Sequence, residues 1–321
     1  MELSIRRRGM FTTVQDLGRF GHRRDGVPSS GAMDSFALRV ANLLVGNHEN
    51  AAGLECTLVG PELVFSGAAT VAVGGAAFDG VPSWQPFRVN AGERLDLGPC
   101  RNGARGYVAV SGGIDVEPLL GSRSTYVRGA WGGFEGRALR EGDVLKIGAE
   151  PGLGSSSVDS KIHWRIDPRI LPAYGPSPAI RVLRGIHDAE KLEAFFQRTF
   201  EVSPQSDRMG FRLQGETLPF ITAAELLSLP VTPGTVQVPP DGHPVVLMAD
   251  AQTIGGYPQI AHVIAMDLPL VAQLRPGNEI RFVETTVEEA HRLTFARERA
   301  IGMLREGLAD KFGHAGNETA S

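Results

Sequence analysis

Glycine or proline interrupts this chain so often that its apolar stretches stay short. The 40 Gly and 21 Pro make up about 19 % of the 321 residues; Gly accepts positive φ and Pro withholds a ladder donor, so both punctuate extended chain. That pattern predicts a mainly β protein, against a helical bundle or a regular βαβ alternation. Expected strands run from Ala69 to Gly74, Arg105 to Ser111, Ala179 to Leu183, Gly234 to Val238, Pro244 to Ala249 and Gln259 to Met266. A turn-and-strand unit recurs at Gly92-Glu93-Arg94-Leu95-Asp96-Leu97, Gly142-Asp143-Val144-Leu145-Lys146-Ile147 and Gly277-Asn278-Glu279-Ile280-Arg281-Phe282. Each unit sets Gly at the turn and then alternates apolar and polar side chains, as a half-buried strand does. Two copies in the first half and one in the second point to related barrels.

Helices are expected to be few. Asp34 is placed to cap a helix through Phe36, Val40, Leu43 and Leu44, with Gly46 as its stop. Asp188 is placed to start another through Leu192, Phe195 and Phe196. Capping-box patterns stand at Thr222 with Glu225 and at Thr286 with Glu289. The second opens a long C-terminal helix with an apolar stripe of Leu293, Ala296, Ala300, Ile301, Leu304 and Leu308, expected to pack on its own domain or on a partner. Residues 148–178 lose periodicity and gather Gly, Ser and Pro, as a connector does, and the polar tail from Gly313 to Ser321 is expected to fray.

Composition excludes several function classes. A net charge of -4 gives no electrostatic reason to bind nucleic acid, and no run of about 18 apolar residues offers a membrane span. Met1 to Gly9 carries Arg6, Arg7 and Arg8 with no following apolar region, so no secretory signal is expected and the cytoplasm is the expected location. Cys56 and Cys100 lack CxxC or Cys/His spacing, which argues against a zinc site or a disulfide framework. Only Lys146, Lys161, Lys191 and Lys311 are lysines. None follows a GxxxxG loop, so no P-loop is present, and none sits in the MKM-like triplet of a biotin carrier. HExxH and GxSxG are absent as well, and the eight His have no ligand spacing.

The informative segments are polar residues set among glycines. They are Thr12 to Arg19 with Pro28 to Asp34; Ser111-Gly112-Gly113-Ile114-Asp115 with Leu120 to Tyr126; Ser206 to Leu213; Val236 to Gly242; and Met248 to Pro258. Each admits a structural account by turns and caps. Gly-Gly after a strand equally allows backbone N–H groups to approach an anion, with Arg123 as a clamp. Asp207 and Arg208 can bind a polar ligand or pair with neighbours. The apolar strand ending in Asp250, Gln252 and Thr253 delivers carboxylate and amide groups to a pocket rim.

Taken together, TTVQDLGRFG, PSSGAMD with ANLLVGN, GGIDVEPLLGSRSTY, SDRMGFRL, VQVPPDGHP and GGYPQIA resemble the biotin-dependent carboxyltransferase family, also described as allophanate hydrolase subunit 2 or urea amidolyase-related. They fall in family order from Thr12 to about Phe282. The resemblance implies two cyclophilin-like β-barrel domains, at 1–150 and 179–284, joined by a connector at 151–178 and followed by a C-terminal helix and tail at 285–321. Stand-alone bacterial members act as the C subunit of 5-oxoprolinase, with its B and A subunits, converting 5-oxoproline to L-glutamate with ATP and Mg at the level of the complex. In that scheme the ring carbonyl is activated by phosphorylation where the B and C subunits meet, and hydrolysis follows on the A subunit. The alternative is a biotin-dependent carboxyltransferase on urea or a related amide, with biotin carried by another protein. A third is a regulatory binding partner of the B subunit. Two positions depart from the family pattern: Ile254 where a second Thr is usual, and Gln259 where Lys stands in many members.

By residue type and family position, the expected catalytic residues are Asp207, Arg208 and Asp250. The expected substrate-binding residues are Asp16, Arg19, Arg123, Ser124, Gln237, Gln252 and Tyr257, with no metal ligand assigned. An Arg offers paired N–H donors to a carboxylate or oxyanion, and a carboxylate accepts a lactam N–H or positions Mg²⁺.

Overall fold

The computed structural model describes residues 1–149, 164–187, 192–218, 226–309 and 311–312. In the first half the strands are β1 (Glu2–Arg7), β2 (Phe11–Gln15), β3 (Gly53–Thr57), β4 (Glu62–Phe65), β5 (Ala69–Phe78), β6 (Pro86–Val89), β7 (Arg94–Asp96), β8 (Cys100–Val110) and β9 (Val144–Lys146). They form two sheets, β7-β4-β1-β9 and β2-β3-β8-β5-β6, around one core that holds Leu3, Phe65, Val71 and Val108. The chain passes from one sheet to the other at Gly9, which has φ +70° and where a Cβ would lie 2.4 Å from the Val59 carbonyl oxygen. Only glycine fits that crossing.

The second half contains β10 (Ala179–Arg184), β11 (Thr199–Val202), β12 (Gly210–Gln214), β13 (Leu229–Pro230), β14 (Thr235–Gln237), β15 (Val245–Leu247), β16 (Ile254–Gly255), β17 (Gln259–Val263) and β18 (Glu279–Glu284). Here β10-β17-β14-β15-β12-β11-β18 close a barrel, sealed by the parallel pairing of β10 with β18, while β13 and β16 pair beside it. The mainly β expectation thus appears as one closed barrel and one two-sheet unit. All six expected strands form. The recurrent Gly-led units become β7 and β9, the two edges of the four-stranded sheet, and β18, which completes the barrel.

Four α-helices accompany the strands among the described residues: α1 (Ser35–Leu44), α2 (Leu192–Phe196), α3 (Leu268–Ala272) and α4 (Val287–Ala309). The Asp34 side chain caps α1 by accepting the Ala37 N–H at 2.9 Å, and Thr286 Oγ1 accepts the Glu289 N–H at 3.2 Å at the start of α4. The expected cap at Asp188, the Thr222 and Glu225 box, residues 150–163 of the connector and the tail lie outside the described residues. The apolar stripe of α4 is only partly used. Ile301 and Leu308 are buried against α1, beside Phe36, Val40 and Phe312, whereas Ala296 is exposed. Arg39 of α1 clamps Glu298 with two bonds of 2.6 and 2.7 Å, so α4 returns to the first half of the chain.

The halves interlock. Met33 leaves the first half to join the core of the barrel with Val236, Val246 and Phe282. The Gln273 side chain, just past α3, donates to Asp34 and to the Arg105 carbonyl and accepts the Arg105 N–H, each at 2.9 Å.

Candidate active site

The turn Ser206–Met209 precedes β12, and its two charged neighbours go separate ways. Asp207 is exposed, and its Oδ1 accepts the Met209 N–H at 2.8 Å and the Gly210 N–H at 3.3 Å. No described residue donates to its Oδ2. Arg208 turns inward: Nε donates to Asp250 Oδ2 at 2.9 Å, and Nη2 donates to Asp250 Oδ1 at 3.2 Å and to the Gly31 carbonyl at 2.7 Å. Its Nη1 donates to Glu55 Oε1. Glu55 stands on β3 and is 1 % exposed; its Oε2 accepts the Met33 N–H at 2.9 Å and the Tyr107 hydroxyl at 2.7 Å. The tyrosine oxygen in turn accepts the Asp34 N–H at 2.8 Å.

This is a buried ionic seam between the halves. Burial pushes the Glu55 carboxyl up, yet the Arg208 and Arg105 guanidinium groups outweigh it and hold that carboxyl below its ordinary value. Burial also works against the charge on Arg208, and Asp250 and Glu55 more than offset it, so its guanidinium holds its proton more tightly than usual. Asp34 goes the other way: burial raises its pKa despite bonds from Tyr174, Gln273 and Ala37. Arg208 and Asp250 are thus committed to each other and to the seam.

Two depressions adjoin the turn and share Arg128, Asp207 and Met209 as walls. The smaller, about 180 Å³, is lined by Asp207, Gln237, Gln252 and Tyr257 together with Arg212. The larger, about 430 Å³, lies at the seam and is lined by Asp207, Arg208 and Asp250 with Thr57 and Arg105. All the residues expected from the second half therefore converge. Gln237, 1 % exposed on β14, donates to the Tyr257 carbonyl at 3.2 Å. Its amide nitrogen lies 2.6 Å from where a Cβ on Gly255 would stand. Gln259 turns away to the Pro230 carbonyl at 3.2 Å.

The residues expected from the first half gather elsewhere, and none of them lines either depression. Asp16 is their hub. Oδ1 accepts the Gly18 N–H at 2.8 Å and the hydroxyls of Ser122 and Ser124 at 2.7 and 2.5 Å, and Oδ2 accepts the Arg123 N–H at 2.5 Å. The Arg123 side chain donates to the Val116 carbonyl at 2.8 Å, and Arg19, 1 % exposed, lies over Trp131 at 4.4 Å and donates to the Ser124 carbonyl. The Gly112-Gly113 turn serves close packing: a Cβ on Gly112 would lie 2.4 Å from the Gly148 oxygen. The hub reaches the seam through residues 29–32, since Ala32 donates to the Asp16 carbonyl at 2.8 Å and Ser30 to the Ala249 carbonyl at 2.9 Å.

Sequence reasoning missed Glu55, Arg105, Tyr107 and Arg128. The available signal was a charged residue inside each of two strand-like stretches, GLECT and RGYVAV, with no local partner of opposite sign.

The family model described as the carboxyltransferase domain, subdomain A and B, matches residues 25–284. This chain belongs to the carboxyltransferase family. It is 44 % identical over 297 residues to the C subunit of 5-oxoprolinase from Escherichia coli (strain K12), covering 90 % of this chain and 93 % of that protein. It is 38 % identical to the C subunit of 5-oxoprolinase from Haemophilus influenzae, with 93 % and 96 % covered. Against the urea amidolyase of Lachancea kluyveri the identity is 35 %, over 93 % of this chain but 18 % of that protein. Among solved structures it is similar to the K. lactis urea amidolyase (TM-score 0.87, 32 % identity, 94 % of this chain, 20 % of that one) and to the Kluyveromyces lactis urea carboxylase (TM-score 0.86, 33 % identity, 96 % and 29 %). This chain therefore spans under a third of those two solved chains.

Among the described residues, no group of three or more His, Cys, Asp or Glu side chains can hold a metal ion. With both Asp250 oxygens given to Arg208, the described residues do not by themselves fit a Mg²⁺ site. No described helix is long and apolar enough to cross a membrane.

Proposed function

We propose that this chain is the C subunit of a cytoplasmic, ATP-dependent 5-oxoprolinase, acting with B and A subunits to open 5-oxoproline to L-glutamate. One observation carries the reading: the match to the Escherichia coli protein runs over 93 % of its length, whereas the urea amidolyase match takes in 18 % of a much longer chain. The depressions at the Ser206–Met209 turn have the size and polarity for a small cyclic amide.

Within this proposal ATP, bound at the level of the complex, supplies activation of the ring carbonyl. The Oδ2 of Asp207, which no described residue engages, accepts the lactam N–H, and the amides of Gln237 and Gln252 with the Tyr257 ring orient the amide at the rim. Arg208 and Asp250 act as positioning residues, because their mutual bonds hold the turn that presents Asp207. Asp16, Arg19, Arg123 and Ser124 support the 29–32 loop from behind.

The test is reconstitution with purified A and B subunits on 5-oxoproline and ATP, leaving each chain out in turn and measuring glutamate. The proposal expects glutamate only when all three are present, and Asp207→Ala in this chain to abolish it. Full activity without this chain would instead make it a regulatory partner of the B subunit. The relation to urea amidolyase and the carboxyltransferase family description favour one second reading, carboxyl transfer to urea from a biotin borne by another protein. Urea-dependent turnover with a biotinylated carrier, and none with 5-oxoproline, would select it.

A further inference from the structure

A third depression, of about 390 Å³, shares no wall with the two at the Ser206–Met209 turn. It lies where α4, residues 169–173, β10 and the start of α3 meet, with Phe36 of α1 in its wall. Ala296 and Ala300 from the α4 stripe line it beside Leu171, Pro172 and Leu270. Leu171 and Leu270 are half-buried, so the depression offers a largely apolar surface.

Three guanidinium groups stand among these walls, those of Arg169, Arg181 and Arg297. Two of them are matched: Arg169 gives Nε and Nη2 to Asp167, and Arg181 gives its backbone N–H, Nε and Nη2 to Asp267. Arg297 lies over the Phe36 ring, its Cζ 5.0 Å from the centroid. It forms no ion pair with a described residue. Its Nε is buried, whereas Nη1 and Nη2 are open to solvent and donate to no described residue.

The carboxylates nearby are already engaged. Asp34 accepts from Ala37, Tyr174 and Gln273, both Asp267 oxygens serve Arg181, and both Glu289 oxygens serve Arg292. Burial lowers the Arg297 pKa; Asp34, Tyr174 and Asp267 favour its charge and Arg181 opposes it. A guanidinium nevertheless stays charged at neutral pH. The wall of an apolar depression therefore carries one cation that no ion pair meets.

We propose that this depression binds a monocarboxylate with an apolar body, its two oxygens accepting from Arg297 Nη1 and Nη2 and its hydrocarbon lying along Phe36, Leu171 and Leu270. The paired donors of one guanidinium match the two oxygens of one carboxylate. A single unpaired cation calls for a single negative charge, and a dianionic phosphate would bring a second one toward Asp267. The apolar walls reward hydrocarbon removed from water. This site goes beyond the proposed function and does not depend on it.

Calorimetric titration of the full chain with hexanoate, hexan-1-ol, acetate and inorganic phosphate reads the charge and the hydrocarbon separately. Hexanoate should bind at least about tenfold tighter than each of the others, since hexan-1-ol lacks the charge and acetate lacks the chain. Saturating hexanoate should also raise the thermal midpoint. Arg297→Gln, in protein whose far-UV circular dichroism is native, should weaken hexanoate about tenfold and leave hexan-1-ol unchanged. Ala296→Phe, at an exposed helix position that the fold tolerates, fills the depression and should weaken both. Asp207→Ala should leave hexanoate binding as in the wild type. The proposal is overturned if hexanoate binds no tighter than hexan-1-ol, acetate or phosphate, or if either Arg297→Gln or Ala296→Phe binds it like the wild type. Weakening by Asp207→Ala would move the site to the Ser206–Met209 turn and overturn it equally.

Discussion

Replacing Glu55 by Gln tests whether the seam is an ionic latch. The carboxylate faces four groups: Arg208 on Oε1, with Arg105 at 4.0 Å, and the Met33 N–H and Tyr107 hydroxyl on Oε2. A Gln keeps one acceptor oxygen. If that oxygen serves Arg208, the new NH₂ confronts Met33 N–H and the tyrosine hydroxyl; if it serves those two, the NH₂ confronts a guanidinium. Removing one member of a buried ion pair costs about 3–5 kcal/mol, mostly from the charge left behind, and each orphaned neutral donor costs about 1–3 kcal/mol, not additively. We expect a loss of about 4 kcal/mol. The assay is urea unfolding at pH 7, followed by tryptophan fluorescence and far-UV circular dichroism, with Arg208→Met and the double variant closing a cycle. The double variant should lose clearly less than the sum of the singles. A loss below about 1 kcal/mol for Glu55→Gln, or strict additivity with Arg208→Met, would show that the seam carries no ionic latch.

Acid titration of stability should show two opposed effects. Burial raises the Asp34 pKa, so the folded state binds its proton first, and wild type should gain stability relative to Asp34→Asn as pH falls through that raised value toward about 4. Glu55 is held low, so its contribution is intact above about pH 4.3 and disappears as pH falls through its folded-state value; urea midpoints from pH 7 to 3 read both, and parallel curves for wild type and Asp34→Asn would count against the first. Gly31→Ala should destabilise by at least about 2 kcal/mol, because the residue has φ +87° and a Cβ would meet the Leu17 carbonyl carbon at 2.7 Å; a thermal midpoint within a degree of wild type would contradict this. Asp16→Asn should cost about 2–3 kcal/mol by setting an NH₂ against donors that now share the carboxylate, with KM for 5-oxoproline changed little in the folded variant.

The Asp34 cap, the Thr286 box and the Gly-led units at Gly92, Gly142 and Gly277 were legible because their causes lie within a few residues: a side-chain oxygen over a free N–H, or a glycine at positive φ before an alternating strand. For the same reason the Ser206–Met209 turn and the Gln237 to Tyr257 rim could be read, since motif order places their residues on neighbouring turns of one barrel. Glu55 and Arg105 stood out only as charges inside strand-like stretches, because their chemical meaning depends on partners far along the chain. Arg208 is 153 positions from Glu55, and Gln273 is 168 from Arg105. Nor could pattern alone show that Arg123 faces Val116, or that α4 packs back on α1 of the first half.

What the amino-acid order determined by itself is local: extended segments, their turns, their caps and the family to which their motifs point. Tertiary structure alone decided which charges are spent holding the halves together and which are left facing a cavity. Local backbone preferences act over a few residues, whereas burial and charge pairing are properties of groups brought together from distant parts of the chain, and only the folded arrangement sets their partners.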